Sequence, residues 1–243
     1  MKKITYYIME PGGNTTAIVR GVFSRAKRKK IALKILSSNR KVEQVGFWAP
    51  ARSAKALARL EMAGGEFCGN ATRSLAALIG KRGPFLLESS GAPEPIRVRS
   101  SKKSASFEFP TKYFREKNNV CELPGIVHLL KEGLLTRKYA RKLLISNQLL
   151  NREASGVIGY KKVGSAMYEI SPIVWVRDLK TLIAETACAS GTMALANSFW
   201  KSNGITALQI KQPSGAIFKT RIKNRTLSIT GPMKNLGERE IIL

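Results

Sequence analysis

Two of the three cysteines lie in settings that could perform acid–base chemistry on a small substrate. Cys68 and Cys188 are 120 positions apart, which is about half of the 243-residue chain. Counting from each cysteine, Cys, Thr, Leu and Ala recur at the first, fifth, eighth and ninth positions. Each thiol precedes a turn of small and polar residues, Gly69-Asn70-Ala71-Thr72 in one case and Ala189-Ser190-Gly191-Thr192 in the other.

A thiol at a helix start can serve as a catalytic acid or base. The first turn of a helix carries unpaired backbone N–H groups and the positive end of the helix dipole. That environment binds a carboxylate and lowers the pKa of a cysteine toward a populated thiolate. If two half-domains faced each other, a thiolate and a thiol would flank one Cα–H bond, as racemisation requires. The alternative is a pair of small core residues, because free cysteine is commonly buried.

The elements around the cysteines predict an α+β (α/β) fold that is duplicated. Pro110 and Pro232, each at the end of a predicted strand pair, are 122 positions apart, close to the spacing of the cysteines. Alternating and helical apolar patterns predict short strands mixed with four helices. The predicted helices are Arg25–Leu36, Asn70–Ile79, Arg137–Leu150 and Ser190–Trp200. The predicted strands are Ile4–Met9, Thr16–Arg20, Gln44–Ala49, Ile96–Arg99, Ala105–Phe109, Gly156–Tyr160, Val163–Tyr168, Ile173–Val176, Ala216–Ile222 and Thr226–Thr230.

The charge balance favours attraction to polyanions without identifying a nucleic-acid binder. Lys and Arg number 42 against 16 Asp and Glu, which gives a net charge of +26. Such a field attracts nucleic acid or acidic partners. The basic residues are spread along the chain, however, and no helix-turn-helix, zinc-finger or RNA-recognition motif is present. A basic surface without a specific role is therefore the favoured interpretation.

The remaining composition excludes several classes of site. Three cysteines, without a Cys-x-x-Cys pair, do not form a disulfide framework. His128 is the only histidine, so a zinc site would lack its usual ligands, and we expect no metal or cofactor. His128 is instead expected to make a structural hydrogen bond, and Cys121 to be incidental. No apolar run approaches the roughly 20 residues of a membrane span, and the start lacks a signal-peptide pattern, so we expect no membrane association and a cytoplasmic location.

The cysteine motifs resemble those of the diaminopimelate epimerase superfamily, and most closely the histidine racemases of staphylopine-type metallophore biosynthesis. The resemblance starts from Gly65 to Thr72 and from Glu185 to Thr192. Further matching segments follow in order over nearly the whole chain: Pro11-Gly12-Gly13-Asn14, Glu43-Gln44-Val45-Gly46-Phe47, Tyr160-Lys161-Lys162-Val163-Gly164 and Gln212-Pro213-Ser214-Gly215.

This resemblance implies a diaminopimelate epimerase-like fold, with two pseudo-symmetric domains that each wrap a curled mixed sheet around a central helix. We expect one half to comprise 1–112 plus 232–243 and the other 113–231. It implies a homodimer that acts on an amino acid without a coenzyme. Cys68 and Cys188 would be the two bases. The implied substrate-binding residues are the backbone amides of Gly69, Asn70, Gly191 and Thr192, together with Ser190, Asn14, Glu43, Gln44 and Glu185.

Three departures from the family pattern bear on the substrate. Ala189 stands where the family has glycine, and would be strained if that position needed a positive φ. The stretch from Leu179 to Ala184 lacks the Glu-Arg pair that holds the distal end of diaminopimelate. Ile126 replaces a substrate-binding asparagine. The missing Glu-Arg pair and Ile126 count against diaminopimelate as the substrate, and the resemblance favours histidine.

Two other functions remain open from the sequence. One is a different reaction on the same fold, such as epimerisation of diaminopimelate or proline, or a proton-shift isomerisation. The other is a basic protein that binds nucleic acid or an acidic partner and has lost catalysis. The net charge of +26 would allow the binding, and Ala189 beside the second cysteine would allow the loss of catalysis.

Overall fold

A computed structural model describes residues 3–243, and its elements repeat once along the chain. Residues 1 and 2, which we assigned to the first half, lie outside the described residues. The helices are α1 (Arg25–Ser38), α2 (Gly69–Ile79), α3 (Arg137–Ser146) and α4 (Ala189–Asn203). The strands are β1 (Lys3–Glu10), β2 (Thr16–Arg20), β3 (Gln44–Ala49), β4 (Ala58–Met62), β5 (Phe85–Ser89), β6 (Ile96–Ser100), β7 (Ser104–Pro110), β8 (Arg115–Lys117), β9 (Val120–Leu123), β10 (Ile126–Glu132), β11 (Ala154–Lys162), β12 (Met167–Val176), β13 (Thr181–Ala184), β14 (Ala207–Lys211), β15 (Ile217–Lys223), β16 (Thr226–Pro232) and β17 (Lys234–Ile242).

The strand pairings show the duplication directly. From β2 to β7, successive neighbours pair parallel, antiparallel, parallel, antiparallel and antiparallel. The series β10, β11, β12, β14, β15 and β16 has the same five pairings in the same order. β7 and β16 then pair with each other and join the two series. The predicted fold of two pseudo-symmetric, curled mixed sheets is confirmed, whereas the exact residue limits of the two halves stay a prediction.

Each curled sheet encloses one apolar helix. The first eight residues of α2 and the first nine of α4 are buried, and one continuous apolar core contains side chains from both helices. α1 and α3 instead cover the outer faces of β1–β3 and β10–β11, each over a smaller core of its own. Burial of α2 and α4 on all sides is what fixes the positions of their first turns. None of the helices in residues 3–243 is both long and apolar enough to cross a membrane.

Several element limits differ from the sequence prediction. β4, β5, β8–β10, β13, β14 and β17 were not predicted, because their alternation is short or is interrupted by charge. Residues 163–166 form a turn, so Val163–Tyr168 is not a strand of its own, and β12 is one long strand. α3 ends at Ser146 and not at Leu150, because Gln148 adopts a left-handed conformation with φ of 56°.

Replacing Phe107 by alanine should lower the free energy of unfolding by about 3–5 kcal/mol, because a fully buried ring leaves a cavity. Phe107 packs edge-on against Phe67, with ring centroids 5.9 Å apart, in the core that supports α2. Urea denaturation measures the change. Leu236→Ala, at a side chain that is 44% exposed, is the control and should stay within about 0.5 kcal/mol of wild type. A loss below about 1 kcal/mol for Phe107→Ala would contradict this packing.

Candidate active site

Cys68 and Cys188 are the N-caps of α2 and α4, and their backbones are nearly identical. Their φ and ψ angles are −132° and 107° for Cys68, and −136° and 106° for Cys188. Each Sγ accepts a hydrogen bond of 3.3 Å from the backbone N–H three residues later. Thr72 and Thr192 each donate their hydroxyl back to the carbonyl oxygen of the cysteine, at 2.8 and 2.7 Å. The repeat therefore places two thiols at two equivalent helix starts.

The two helix starts face each other across the middle of the molecule. A Cβ built on Gly69 would lie 2.9 Å from the Cβ of Ala189 and 2.8 Å from the ring of Phe107, so only glycine fits there. The side-chain amides of Asn14 and Asn70 both donate to the carbonyl oxygen of Ala187, at 2.8 and 2.9 Å. These bonds connect the first half of the chain to the residue just before Cys188.

Gln44 is the polar partner of the Cys68 thiol. The Cys68 S–H donates to Oε1 of Gln44 at 2.8 Å, and the Gln44 amide donates to the hydroxyl of Thr16 at 2.9 Å. Gln44 lies at the first residue of β3, so the sheet fixes its backbone. The bond orients a protonated sulfur, because the glutamine oxygen can only accept.

Cys188 has a different set of partners. Its N–H donates to Oε1 of the fully buried Gln212 at 2.9 Å, and its Sγ lies 3.5 Å from the hydroxyl of Ser190. That hydroxyl lies 2.9 Å from Nε2 of His128. Burial lowers the pKa of His128 to about 3, so the ring is neutral. His128 does make the hydrogen bond expected of it, and the bond reaches a residue beside the thiol.

The thiols are more strongly desolvated than the sequence suggests. Burial raises the pKa of Cys68 to about 12 and that of Cys188 well above its ordinary value. The N–H groups of the helix starts act in the opposite direction but are outweighed. The expectation of a populated thiolate is therefore wrong for the free protein. Removal of the sulfur from water raises the pKa of each thiol by more than the N–H groups of the helix start lower it. Cys121 is also a protonated core thiol, in β9.

Three glutamates surround the cysteines, in a chain that is otherwise strongly basic. Glu43 accepts from the N–H of Thr186 at 2.9 Å with one oxygen and from the Thr186 hydroxyl with the other. Glu185 faces Cys188 and Asn14, and burial raises its pKa to about 8. Burial raises the pKa of Glu66 to about 7. The carboxyls form no metal site: among residues 3–243, no group of three His, Cys, Asp or Glu is arranged to hold a metal ion.

A single cleft brings most of the predicted site residues together. Its volume is about 40 Å³, room for a few water molecules, so the cleft must widen to admit an amino acid. Asn14, Gly191 and Thr192 support the cleft from behind and do not line it. The predicted site residues that do line the cleft are Glu43, Gln44, Cys68, Gly69, Asn70, Glu185, Cys188 and Ser190.

The hydrogen bonds at the start of α4 change which amides are open to a ligand. The N–H of Gly191 points to Cys188 Sγ, and the N–H of Thr192 donates to the carbonyl oxygen of Cys188 at 3.0 Å. These two N–H groups, expected to hold a carboxylate, are already engaged. The N–H groups of Ala189 and Ser190 are equivalent by the repeat to those of Gly69 and Asn70. Ala189 is helical and has no positive φ, so the strain considered for it is absent.

Sequence reasoning did not single out Glu66, Thr186 or Gln212. All three lie inside the quoted motifs, but none has a spacing that reveals its role. Thr186 holds Glu43 from the other half of the chain, and Gln212 reaches Cys188 from the end of β14. Only the fold brings Glu43 to Thr186 and Gln212 to Cys188.

The chain matches known sequences over almost its whole length. The family profile described as the histidine racemase CntK N-terminal domain matches residues 3–231. The chain belongs to the histidine racemase family. It is therefore an isomerase of the amino-acid racemase class, which confirms the prediction from the paired cysteine motifs at that level.

Curated relatives of this family member carry the same description. A histidine racemase of Fusobacterium nucleatum is 27% identical, over 97% of this chain and 95% of the relative. A histidine racemase of Staphylococcus aureus is 22% identical, over 86% of this chain and 85% of the relative. The family is thus represented by full-length racemases of similar size.

Solved structures share the fold at lower identity. A hydroxyproline epimerase from Agrobacterium vitis superposes with a TM-score of 0.66 at 12% identity, over 99% of this chain and 93% of the other. A phenazine biosynthesis protein of the PhzF family from Enterococcus faecalis gives 0.65 at 15% identity, over 100% of both chains. At these identities the likeness shows the architecture and nothing further.

Replacing Gly191 by alanine should destabilise the start of α4. The added Cβ would lie 2.4 Å from Cδ1 of Ile158 and 3.2 Å from Cys188 Sγ. Overpacking of this kind costs about 1–3 kcal/mol of unfolding free energy, measured by urea denaturation. Ala189→Gly, two residues away and unstrained, is the matched control, with an expected loss below about 1 kcal/mol. Equal losses of unfolding free energy for the two variants would show that a clash with Ile158 does not destabilise Gly191→Ala.

Glu66 should make stability depend on pH between its ordinary pKa of 4.5 and about 7. In this window the folded protein holds the proton and the unfolded chain releases it, so stability falls as pH rises. Relative to Glu66→Gln, wild type should lose up to about 1.4 kcal/mol per pH unit across the window. Denaturation of both proteins at pH 4.5 to 7.5 measures this difference. Glu169→Gln, at a partly exposed pair with Lys211, is the control, and its difference from wild type should not change over this pH range. A difference that does not vary with pH would contradict the assignment.

Proposed function

We propose that this racemase interconverts L- and D-histidine by a two-thiol mechanism, with Cys68 and Cys188 on opposite faces of the substrate Cα. The observation that carries the proposal is the pair of cysteine N-caps at two helix starts that face each other in one cleft. A proton removed from one face by a thiolate and replaced on the other by a thiol inverts the configuration. Neither step consumes a coenzyme.

The substrate α-carboxylate would bind between the two helix starts. The N–H groups of Gly69 and Asn70 lie at one start and those of Ala189 and Ser190 at the other. Two helix dipoles place partial positive charge at this point. The same groups would stabilise the negative charge that spreads into the carboxylate when the Cα proton leaves. Asn70 and Asn14 hold the two helix starts in a fixed relative position, because both donate to the carbonyl oxygen of Ala187.

The high pKa of each thiol fits a role as a strong base once the substrate is bound. A thiolate removed from water is a stronger base than a solvated one, and the Cα–H bond of an amino acid is a weak acid. The ammonium group of the substrate brings a positive charge into the cleft, which lowers the cost of one thiolate. Glu185, next to Cys188 and Asn14, is placed to accept hydrogen bonds from that ammonium group.

Histidine is proposed because the matching family and the curated relatives are described as histidine racemases. The missing Glu-Arg pair before Cys188 and Ile126 in the cleft wall also disfavour diaminopimelate. The homodimer, the attraction to polyanions and the cytoplasmic location stay predictions, as does the division of the chain into its two halves.

Replacing either catalytic cysteine should abolish racemisation. Cys68→Ser and Cys188→Ser should each lower the rate of histidine racemisation by about 1,000-fold or more, because a hydroxyl is a far weaker acid than a thiol. Incubation with L-histidine in D₂O, followed by loss of the Cα–H signal in NMR spectra and by chiral chromatography, measures exchange and inversion. Cys121→Ala, in the core of β9, is the control and should retain activity. Racemisation that survives either serine variant would overturn the two-thiol mechanism.

A further inference from the structure

Glu66 is a buried acid in the cleft that the proposed chemistry does not use. It lies two residues before Cys68, in the turn between β4 and α2, and is only 8% exposed. Its Oε2 has no hydrogen-bond partner within residues 3–243. This oxygen lies beside Gly64, because a Cβ built on Gly64 would lie 2.5 Å from it and 2.8 Å from Cγ1 of Val176, which also lines the cleft. The backbone N–H groups of Gly64 and Glu66 are close enough to the carboxyl to lower its pKa, but burial raises it by more.

The other two glutamates of the cleft already have roles. Both oxygens of Glu43 are occupied by Thr186. Glu185 lies beside Cys188 and Asn14, where the substrate Cα and its ammonium group would be held. Glu66 is left as the carboxyl with an unpaired oxygen. A buried acceptor of this kind costs free energy unless a ligand supplies the missing donor.

The residues around Glu66 indicate what kind of substrate group would supply this donor. Five large aliphatic side chains form part of the cleft wall, so this part fits a small ring or a short apolar stem. The carboxylates of Asp178 and Glu153 add negative potential at Glu66 and help raise its pKa to about 7. The site therefore favours a side chain that is apolar along its length, carries an N–H at its end and tolerates positive charge. The aliphatic side chains of the wall are Ile126, Val174, Val176, Leu179 and Ile183.

We infer that Glu66 accepts a hydrogen bond from the side-chain N–H of the substrate and thereby selects an imidazole over rings of the same size that lack the donor. The inference rests on the proposed racemase function and assigns side-chain recognition to one residue. Diaminopimelate is disfavoured separately, since the cleft lining offers no Lys or Arg to the distal carboxylate of that substrate.

The test compares two substrates of similar shape, of which only one carries this donor. L-Histidine and 3-(4-thiazolyl)-L-alanine have five-membered rings of similar size, but the thiazole has no N–H. Cα–H exchange in D₂O gives kcat/KM for each substrate with wild type, Glu66→Gln, Glu66→Met and Glu66→Asp. Wild type should prefer histidine by about 100-fold or more, because a site built around a hydrogen bond rejects the analogue that leaves it unpaired.

In Glu66→Met the preference should fall below about 3-fold, mainly through a higher KM for histidine. Glu66→Gln, which keeps a neutral acceptor, and Glu66→Asp, which keeps the charge one methylene further away, should retain intermediate preferences. Glu169→Gln, far from the cleft and paired with Lys211, should behave as wild type. Circular dichroism checks that each variant is folded, and the conservative pair keeps the test valid if Glu66→Met fails to fold.

The outcomes separate this inference from the proposed function. If wild type exchanges histidine but the preference over the thiazole is the same in every Glu66 variant, the inference is overturned and the racemase function stands. If all Glu66 variants lose activity on both substrates equally, Glu66 is structural and the inference is again overturned. If wild type exchanges no amino acid, both fail.

Discussion

The contact between two helix starts is the constraint on which this structure depends. α2 and α4 meet end to end, and the meeting point admits only small residues, with Gly69 against Ala189 and the ring of Phe107 behind them. The helices can be held in this way because each is enclosed by a curled sheet and buried along its first turns. One small cleft then receives two thiols, two sets of unpaired N–H groups and the positive ends of two dipoles.

The two halves are alike in backbone and different in electrostatics. Arg73 in α2 corresponds to Met193 in α4 by the offset of the repeat. Arg73 is fully buried and donates to the carbonyl oxygen of Pro11 and to Oδ1 of Asn70, both at 2.8 Å, while its guanidinium lies 4.3 Å from the ring of Phe218. Burial lowers its pKa to about 9. Only the first half therefore places a guanidinium behind its thiol, and only the second has the neighbouring Ser190 and His128.

Local acidity in the cleft contrasts with the basic chain around it. The net charge of +26 would attract anions to the surface, yet three glutamates surround the cysteines and two of them have pKa values raised to about 7 and 8 by burial. Near neutral pH these two carboxyls are therefore close to the midpoint between their neutral and charged forms. In the proposed complex the helix N–H groups, and not a lysine or arginine, would hold the substrate carboxylate, and Glu66 and Glu185 would face its positively charged groups.

The sequence by itself determined the duplicated fold and the two cysteine turns, because both are visible in local residue patterns. The cysteine turns, their spacing of 120 and the helices that follow them could be predicted from residue types alone, since caps and apolar periodicity are short-range properties. Most strands of the two series were also predictable. β4, β5 and β17 were not, because their alternation is short or interrupted by charge, so that pairing with neighbouring strands defines them.

Only the tertiary structure decided the state of the site. Burial, and not the helix start, sets the protonation of Cys68 and Cys188, and burial is a property of everything packed around a residue. The partners of Glu43 and Cys188 are Thr186 and Gln212, and the first of these lies more than 140 residues away along the chain. Which glutamate keeps a free oxygen depends on those partners. A sequence pattern can predict which residues are candidate acids and bases. The three-dimensional packing decides which of them remain available to a substrate.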